Sequence, residues 1–491
     1  MIWEQSVSSI VMLTNLRELG KKKCYQYWPD DCDQYSDITI TNHKTEVFAD
    51  FTIRTFFLSK AGSQNRRVRQ FHFTAWPDKG VPDHATAVLS FRRKVLALSS
   101  SDNSRPTVVH CSAGVGRTGT YIMIDAMLRQ AEEQQHVDIL DYLRTIRNDR
   151  PYMVQTVEQY IFVNMAIYDA LTCGNTEVPV QNLLYAIQQL SVVDRRHKLT
   201  GYALEFQRLE DVTSEDIQSG NFDVGLSRKN VKKNRYPNIV AANGNRVILS
   251  TENDTEIGDY INSSVIEAYK ERKGDYINAS FVDTYREHNA FIMTQAPMEN
   301  TIADFWRMVM DYKIGTIVML NNSEEEREVF PQYWPLHEAK TYDSIKVRLV
   351  ETKHLAGNII LRILKVSNRK KQLTVNHFQH LTWENECVPT NPQSVLTLLH
   401  EVQKSQQKSG NSPIVVQCSN GVGRSGTFCA IASCLERVKQ EQVLDVFQTV
   451  KSIRVNRPGA VETLTQYVFC YNIIQKYLDS FSNYANFGDV N

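Results

Sequence analysis

Apolar positions in this chain come in short runs broken by turns, and no run approaches the roughly 18 consecutive residues needed to cross a bilayer. One run sets a recurring local pattern. Thr107-Val108-Val109 is mostly β-branched, a stretch carrying Gly114, Gly116 and Gly119 follows, and Thr120 to Leu128 then has helix-forming composition. That order predicts strand, loop and helix. β-rich and helical stretches alternate through the chain, which predicts the α/β class, a twisted mixed sheet flanked by helices.

The pattern occurs twice. Cys111 in Val109-His110-Cys111-Ser112-Ala113-Gly114-Val115-Gly116-Arg117-Thr118-Gly119 and Cys418 in Val416-Gln417-Cys418-Ser419-Asn420-Gly421-Val422-Gly423-Arg424-Ser425-Gly426 stand 307 positions apart. Trp76 and Trp383 keep that offset, as do Ile10-Val11-Met12-Leu13 and Ile317-Val318-Met319-Leu320, while Tyr27-Trp28-Pro29 and Tyr333-Trp334-Pro335 differ by 306. So long a period means two domains, each with its own core, and a length of 491 residues agrees with two. The expected boundaries are a first domain over 1–173, a linker with a short helix over 174–200, a second domain over 201–480 and a flexible tail over 481–491. Met1 aligns with Met308, so Lys233-Asn234-Arg235-Tyr236, Asp275 to Ser280 and Thr294 to Pro297 have no partners in the first copy. The first domain is therefore expected to lack about a hundred residues at its front.

Charge adds little. Lys plus Arg and Asp plus Glu each number 55, so no global field points to nucleic acid or to an anionic membrane, and any anion site must be built locally. Nine cysteines without CxxC pairs or histidine clusters do not resemble a secreted disulfide framework, which favours a reducing compartment. Met1-Ile2-Trp3-Glu4-Gln5 lacks a signal-peptide profile, so a membrane anchor is expected only in a segment outside this chain. Glu324-Glu325-Glu326 reads as a solvated loop, His72, His377 and His380 read as structural, and the sequon at Asn278-Ala279-Ser280 carries no weight in a reducing compartment.

The chemistry concentrates at Cys111. Glycines allow the loop to curl so that successive N–H groups point inward, and the helix that follows aims its positive end at the same place, which makes a nest for a phosphate dianion from Ser112, Ala113, Gly114, Val115, Gly116 and Arg117. The same dipoles favour the Cys111 thiolate. Arg117 can fork onto two phosphoryl oxygens. A leaving alkoxide or phenoxide needs a proton, and Asp78 in Trp76-Pro77-Asp78-Lys79-Gly80-Val81-Pro82 is the candidate acid. Gln155 and Gln159 are neutral groups that can orient a hydrolytic water.

Together, the cysteine signature, the WPD loop, the glutamine loop and the QYWP segment resemble the protein-tyrosine phosphatases, and specifically the tandem-domain intracellular regions of receptor-type members; Thr176-Glu177-Val178-Pro179 is similar to the adhesion-type receptors. The resemblance implies Cys111 as nucleophile, Arg117 as clamp, Asp78 as acid then base, Thr118 assisting thiolate departure, His110 supporting the thiolate, Gln155 and Gln159 placing water, and Glu18 steadying Arg117. It implies no metal or other cofactor. Implied partners are phosphotyrosine-containing proteins and a contact between the two domains, within one chain or between two; the implied location is the cytoplasmic side of the membrane.

The second copy keeps Cys418 and Arg424 but has Gln417 for the histidine, Asn420 for Ala113, Asn385 where Asp78 stands, and Glu462 where Gln155 stands. An amide cannot serve as general acid. This copy reads as a pseudophosphatase that binds phosphotyrosine weakly or regulates the first, since Tyr236 and Arg424 are retained; the family's equivalent of Tyr236 stacks on the substrate ring. The rival reading is a non-catalytic phosphotyrosine-binding or redox-regulated scaffold.

Overall fold

The computed structural model describes residues 1–99, 105–219, 221–250, 274–321 and 330–488, so the Glu324-Glu325-Glu326 run and residues 489–491 of the expected tail lie outside the described residues. The chain divides into two compact units, Met1–Asn175 and Thr176–Asn491.

Unit one holds β1 (Ser9–Met12), a small hairpin β2 (Arg17–Glu18) and β3 (Lys21–Lys22), then β4 (Cys32–Tyr35), β5 (Ile38–Val47), β6 (Phe51–Lys60), β7 (Arg66–Phe73) and β8 (Thr107–His110). Its main sheet runs β4-β5-β6-β7-β1-β8. The first four of these strands pair antiparallel, whereas β1 lies parallel to both β7 and β8. All four residues of β1 are buried, as expected of a parallel strand covered on both faces. Helices Thr86–Leu98, Gly116–Gln134, Ile139–Asp149 and Val157–Cys173 flank the sheet.

Unit two begins with β9 (Val178–Pro179) and continues through β10 (Arg246–Ile248), β11 (Tyr276–Val282), β12 (Phe291–Gln295), β13 (Thr316–Met319), β14 (Ala339–Tyr342), β15 (Ile345–Leu355), β16 (Ile359–Ser367), β17 (Gln372–His380), β18 (Ile414–Cys418) and β19 (Val443–Leu444). Nine of them form the sheet β10-β11-β12-β18-β13-β17-β16-β15-β14, while β9 pairs with β19. The repeat is legible in the register itself: Met12 faces His110 and Met319 faces Gln417, so the offset of 307 survives in three dimensions. What differs is the far side of the cysteine strand. In unit two β18 is continued by β12, β11 and β10, whereas β8 is the edge of its sheet in unit one. The last helix, Leu464–Gly488, includes residues 481–488 of the expected tail.

The α/β class with two mixed sheets flanked by helices is the one observed. Both sheets bring the cysteine strand beside β1 or β13 with the following helix starting at the strand's C-terminal end, Gly116 in one unit and Gly423 in the other. A loop at that position faces the crevice where parallel α/β sheets bind ligands. Among the described residues no helix is long and apolar enough to cross a membrane.

Candidate active site

β8 ends at His110, and the chain turns through Cys111 to Val115 before the helix begins at Gly116. The three glycines of the signature have different work. Gly114 has φ of +72°, a conformation that favours glycine, and it turns its N–H onto the Cys111 sulfur at 3.3 Å. Gly119 is helical, and its lack of a side chain admits the following loop: a Cβ there would sit 2.5 Å from the Val154 nitrogen. Gly116 likewise abuts Gln159, whose Nε2 would lie 2.9 Å from a Cβ.

Cys111 is half-buried, and burial by itself pushes its thiol up. Hydrogen bonds outweigh that effect: the Thr118 hydroxyl and the N–H groups of Thr118, Gly114 and Val115 all act on the sulfur and hold its pKa below the ordinary thiol value. The Thr118 hydroxyl is buried and meets no partner at full hydrogen-bond geometry among the described residues, so the sulfur is the group left for it to act on. The His110 ring bonds not to the sulfur but to the groups on either side of it. Its Nδ1–H donates to the Cys111 carbonyl at 3.2 Å, which leaves Nε2 to accept from the Tyr27 hydroxyl at 2.7 Å. Burial lowers the His110 pKa against the pull of that carbonyl, consistent with a neutral ring. Tyr27 in turn accepts from Gln70 at 2.9 Å, and Gln70 accepts from Arg54 at 2.9 Å. A four-residue chain thus fixes the peptide that carries the cysteine.

Arg117 meets Glu18 end on, Nη1 to Oε1 at 2.6 Å and Nη2 to Oε2 at 2.9 Å. The β2–β3 hairpin makes this possible. Its turn is Leu19-Gly20, with φ of +47° and +74°, and it leaves Glu18 buried at 3 % exposure while the Thr14 hydroxyl and the Asn15 N–H also bond its carboxylate. Burial pushes the Glu18 carboxyl up, but the bonds and charge of Arg117, then those of Asn15 and Thr14, bring it below the usual range. Arg117 also donates to the Leu13 carbonyl at 3.2 Å and to the Pro77 carbonyl at 3.1 Å.

The Trp76 segment is a shaped loop. Its indole is buried and donates to the Gly80 carbonyl at 3.3 Å, and the exposed Asp78 accepts from the Leu19 N–H at 2.9 Å. One hairpin therefore holds both the arginine's partner and the candidate acid. On the opposite side, Gln159 accepts from the Gln155 N–H at 2.8 Å, and Thr156 caps helix Val157–Cys173. Val154, just before Gln155, has φ of +54°, uncommon for a β-branched residue, and Arg147 holds its carbonyl at 2.7 Å. The Ser112 hydroxyl donates to the Lys23 carbonyl at 3.0 Å, and Arg150 reaches the Ala113 carbonyl at 3.3 Å. The hairpin's hold on Asp78, the Arg54-Gln70-Tyr27-His110 chain and Arg150 were not read from the sequence. Tyr27 and Arg150 had a signal, since each has a repeat counterpart in Tyr333 and Arg457.

In unit two, Cys418 is fully buried at 1 % exposure and Arg424 likewise at 1 %. Arg424 donates to the Trp383 carbonyl at 2.8 Å, to Asn385 Oδ1 at 3.1 Å and to the Ser419 hydroxyl. Asn385 thus stands at the cradle as an acceptor. Tyr236 is exposed, and its hydroxyl makes no hydrogen bond among the described residues. The supporting chain is exchanged: His377 and Gln417 occupy the places of Gln70 and His110, both bonded to Tyr333, at 2.7 and 2.8 Å.

In unit one a thiol shifted toward its anion, N–H groups turned onto it and an arginine six residues on define the site of a cysteine-dependent phosphatase, and unit two repeats the loop with its cysteine and arginine. The protein-tyrosine phosphatase family model matches residues 1–169 and 230–476, and the chain belongs to that family. It is 40 % identical to human receptor-type tyrosine-protein phosphatase alpha over 495 residues, 99 % of this chain and 59 % of that protein. It is 41 % identical to rat receptor-type tyrosine-protein phosphatase epsilon over 502 residues, 99 % of this chain and 68 % of the relative, and 40 % identical to chicken receptor-type tyrosine-protein phosphatase S over 491 residues, 99 % and 31 %.

Proposed function

We propose that unit one hydrolyses phosphotyrosine in proteins through a phosphocysteine intermediate, and that unit two, lacking an acid at Asn385, turns over no substrate and regulates unit one. The observation that carries the first part is the pairing, on one loop, of a thiol held below its ordinary pKa with a guanidinium pre-set by Glu18.

The Cys111 thiolate attacks phosphorus, and the bond to the phenolic oxygen breaks as Asp78 gives that oxygen a proton. Arg117 and the loop N–H groups balance charge on the equatorial oxygens, the term that dominates phosphoryl transfer. Water placed by Gln155 and Gln159 then attacks the phosphocysteine, Asp78 takes the proton, and Thr118 receives the departing thiolate. Glu18 acts only through Arg117, and His110 only through the Cys111 peptide.

The relatives' names give tyrosine phosphatase activity in receptor-type proteins, which supports phosphotyrosine proteins as substrates and the cytoplasmic side of a membrane as the location. All nine cysteines are free, in keeping with a reducing compartment. Hydrolysis of phosphotyrosine and phosphoserine peptides by the full chain and by Cys111→Ser tests the reading. Turnover of phosphotyrosine alone, abolished in the variant, is expected; equal rates for chain and variant would sink catalysis by unit one and leave a binding scaffold.

A further inference from the structure

We propose that the cradle of unit two is occupied by its own Asn420 carboxamide, latched by Glu462, and that this pair, rather than the missing acid alone, keeps unit two from holding a phosphate monoester. The inference rests on the cysteine-phosphatase architecture of unit two and is independent of whether unit one is active.

Asn420 Oδ1 accepts three donors at once: the N–H of Val422 at 3.0 Å, the N–H of Gly423 at 3.2 Å and the thiol of Cys418 at 3.4 Å. The two N–H groups are donors that such a loop turns toward a phosphoryl oxygen. The amide oxygen therefore stands as a neutral stand-in for one oxygen of a phosphate. Its orientation is fixed from the other end, because Nδ2 donates to Glu462 Oε2 at 2.8 Å. Glu462 is itself placed by its own N–H, which donates to Gln466 Oε1 at 3.0 Å. The side chain of Asn420 is enclosed, with the residue only 8 % exposed.

Unit one supplies an internal control. At the two positions related by the repeat it has Ala113 and Gln155, so both ends of the Asn420–Glu462 bond differ together between the copies. Alanine offers no acceptor to the loop. The N–H of Val115, equivalent to that of Val422, acts on the Cys111 sulfur instead. In unit two the corresponding donor is spent on the amide, and Cys418 gives its S–H to Asn420 while the Ser425 hydroxyl, the counterpart of Thr118, lies 3.3 Å from its sulfur. Arg424 is drawn into the same closed set through Asn385 and the Ser419 hydroxyl, which also donates to Asn385 at 3.0 Å. A phosphate entering this cradle has to displace Asn420, and it meets the Glu462 carboxylate as a like charge.

Two changes should open the site: Asn420→Ala frees the N–H groups, and Glu462→Gln removes the repelling charge. The test uses the full chain carrying Arg117→Met, so that unit one does not contribute, with phenyl phosphate as probe and binding followed by calorimetry. The added pair Asn420→Ala and Glu462→Gln is expected to tighten phenyl phosphate binding at least about tenfold, a difference of about 1.4 kcal/mol. Alkylation of Cys418 by iodoacetamide, read by mass spectrometry of its peptide, is expected to speed up about tenfold and to be slowed by the probe. Should the double change prevent cooperative melting, Glu462→Ala alone decides, with about a threefold rise in Cys418 alkylation expected. Probe binding by the Arg117→Met parent as tight as by the opened variant, or no gain in a variant that melts normally, overturns the proposal. Neither outcome bears on turnover by unit one.

Discussion

Arg117 carries two parallel charge-assisted bonds to Glu18, and such pairs combine geometry with strength because each N–H lies opposite one carboxylate oxygen. Glu18→Gln keeps the shape and removes the charge, so kcat/KM for a phosphotyrosine peptide should fall by roughly 10- to 100-fold, about 1.5–3 kcal/mol. A change below twofold would show that Arg117 needs no such support. The Cys111 thiol is held below its ordinary value, so its alkylation should reach half its maximal rate at a lower pH than that of free cysteine measured alongside. Thr118→Val should move that midpoint upward, since it deletes the first of the bonds that lower it; an unmoved midpoint contradicts the assignment. His72 is buried on β7, donates to the Thr14 carbonyl at 2.9 Å, and is lowered from 6.5 to about 4 by burial and then by the Arg54 charge. The unfolded chain therefore binds a proton that the folded chain refuses between those values. Its contribution is present above pH 6.5 and is lost as the pH falls toward 4, on the order of 3 kcal/mol. Urea unfolding of His72→Asn should lose this slope; an unchanged slope would place it elsewhere.

Among elements, the glutamine loop and the helix after the cysteine depend on one close approach. A Cβ at Gly119 would lie 2.5 Å from the Val154 nitrogen, and one at Gly426 would lie 2.6 Å from the Val461 nitrogen, both backbone atoms that cannot step aside. Gly119→Ala should cost about 1–3 kcal/mol and displace Gln155, lowering turnover with it. Gly426→Ala should destabilise unit two by a similar amount and leave the dependence of hydrolysis on Cys111 unchanged; hydrolysis by Gly426→Ala that survives Cys111→Ser would argue against catalysis confined to unit one. The strand, loop and helix at each cysteine were legible because composition changes abruptly from β-branched to glycine to helix-forming residues. The hairpin Arg17–Lys22 was not, for its strands are two residues each and only Gly20 marks the turn. Asn420 was visible as a replacement for Ala113, but a side chain that folds back into its own loop leaves no periodicity to read.

For the whole molecule, the offset of 307 already separated two copies, and the sheets repeat it residue for residue at the cysteine strand. The exchange of Gln70 and His110 for His377 and Gln417 keeps one hydrogen-bonded tyrosine in each copy while moving the imidazole away from the nucleophile. The difference beyond the cysteine strand was legible too, because Asp275 to Ser280 and Thr294 to Pro297 have no partners in the first copy, and β10, β11 and β12 have no counterpart in unit one. The two copies have thus kept a frame and filled it differently: one cradle turns N–H groups onto a thiol held below its ordinary pKa, the other turns them onto an amide beside a buried cysteine. The direct measurement is phosphotyrosine-peptide hydrolysis by the full chain, by Cys111→Ser and by Cys418→Ser. Turnover lost in Cys111→Ser and kept within about twofold in Cys418→Ser is the expected pair of results; turnover that survives Cys111→Ser, or vanishes in Cys418→Ser, contradicts catalysis by unit one.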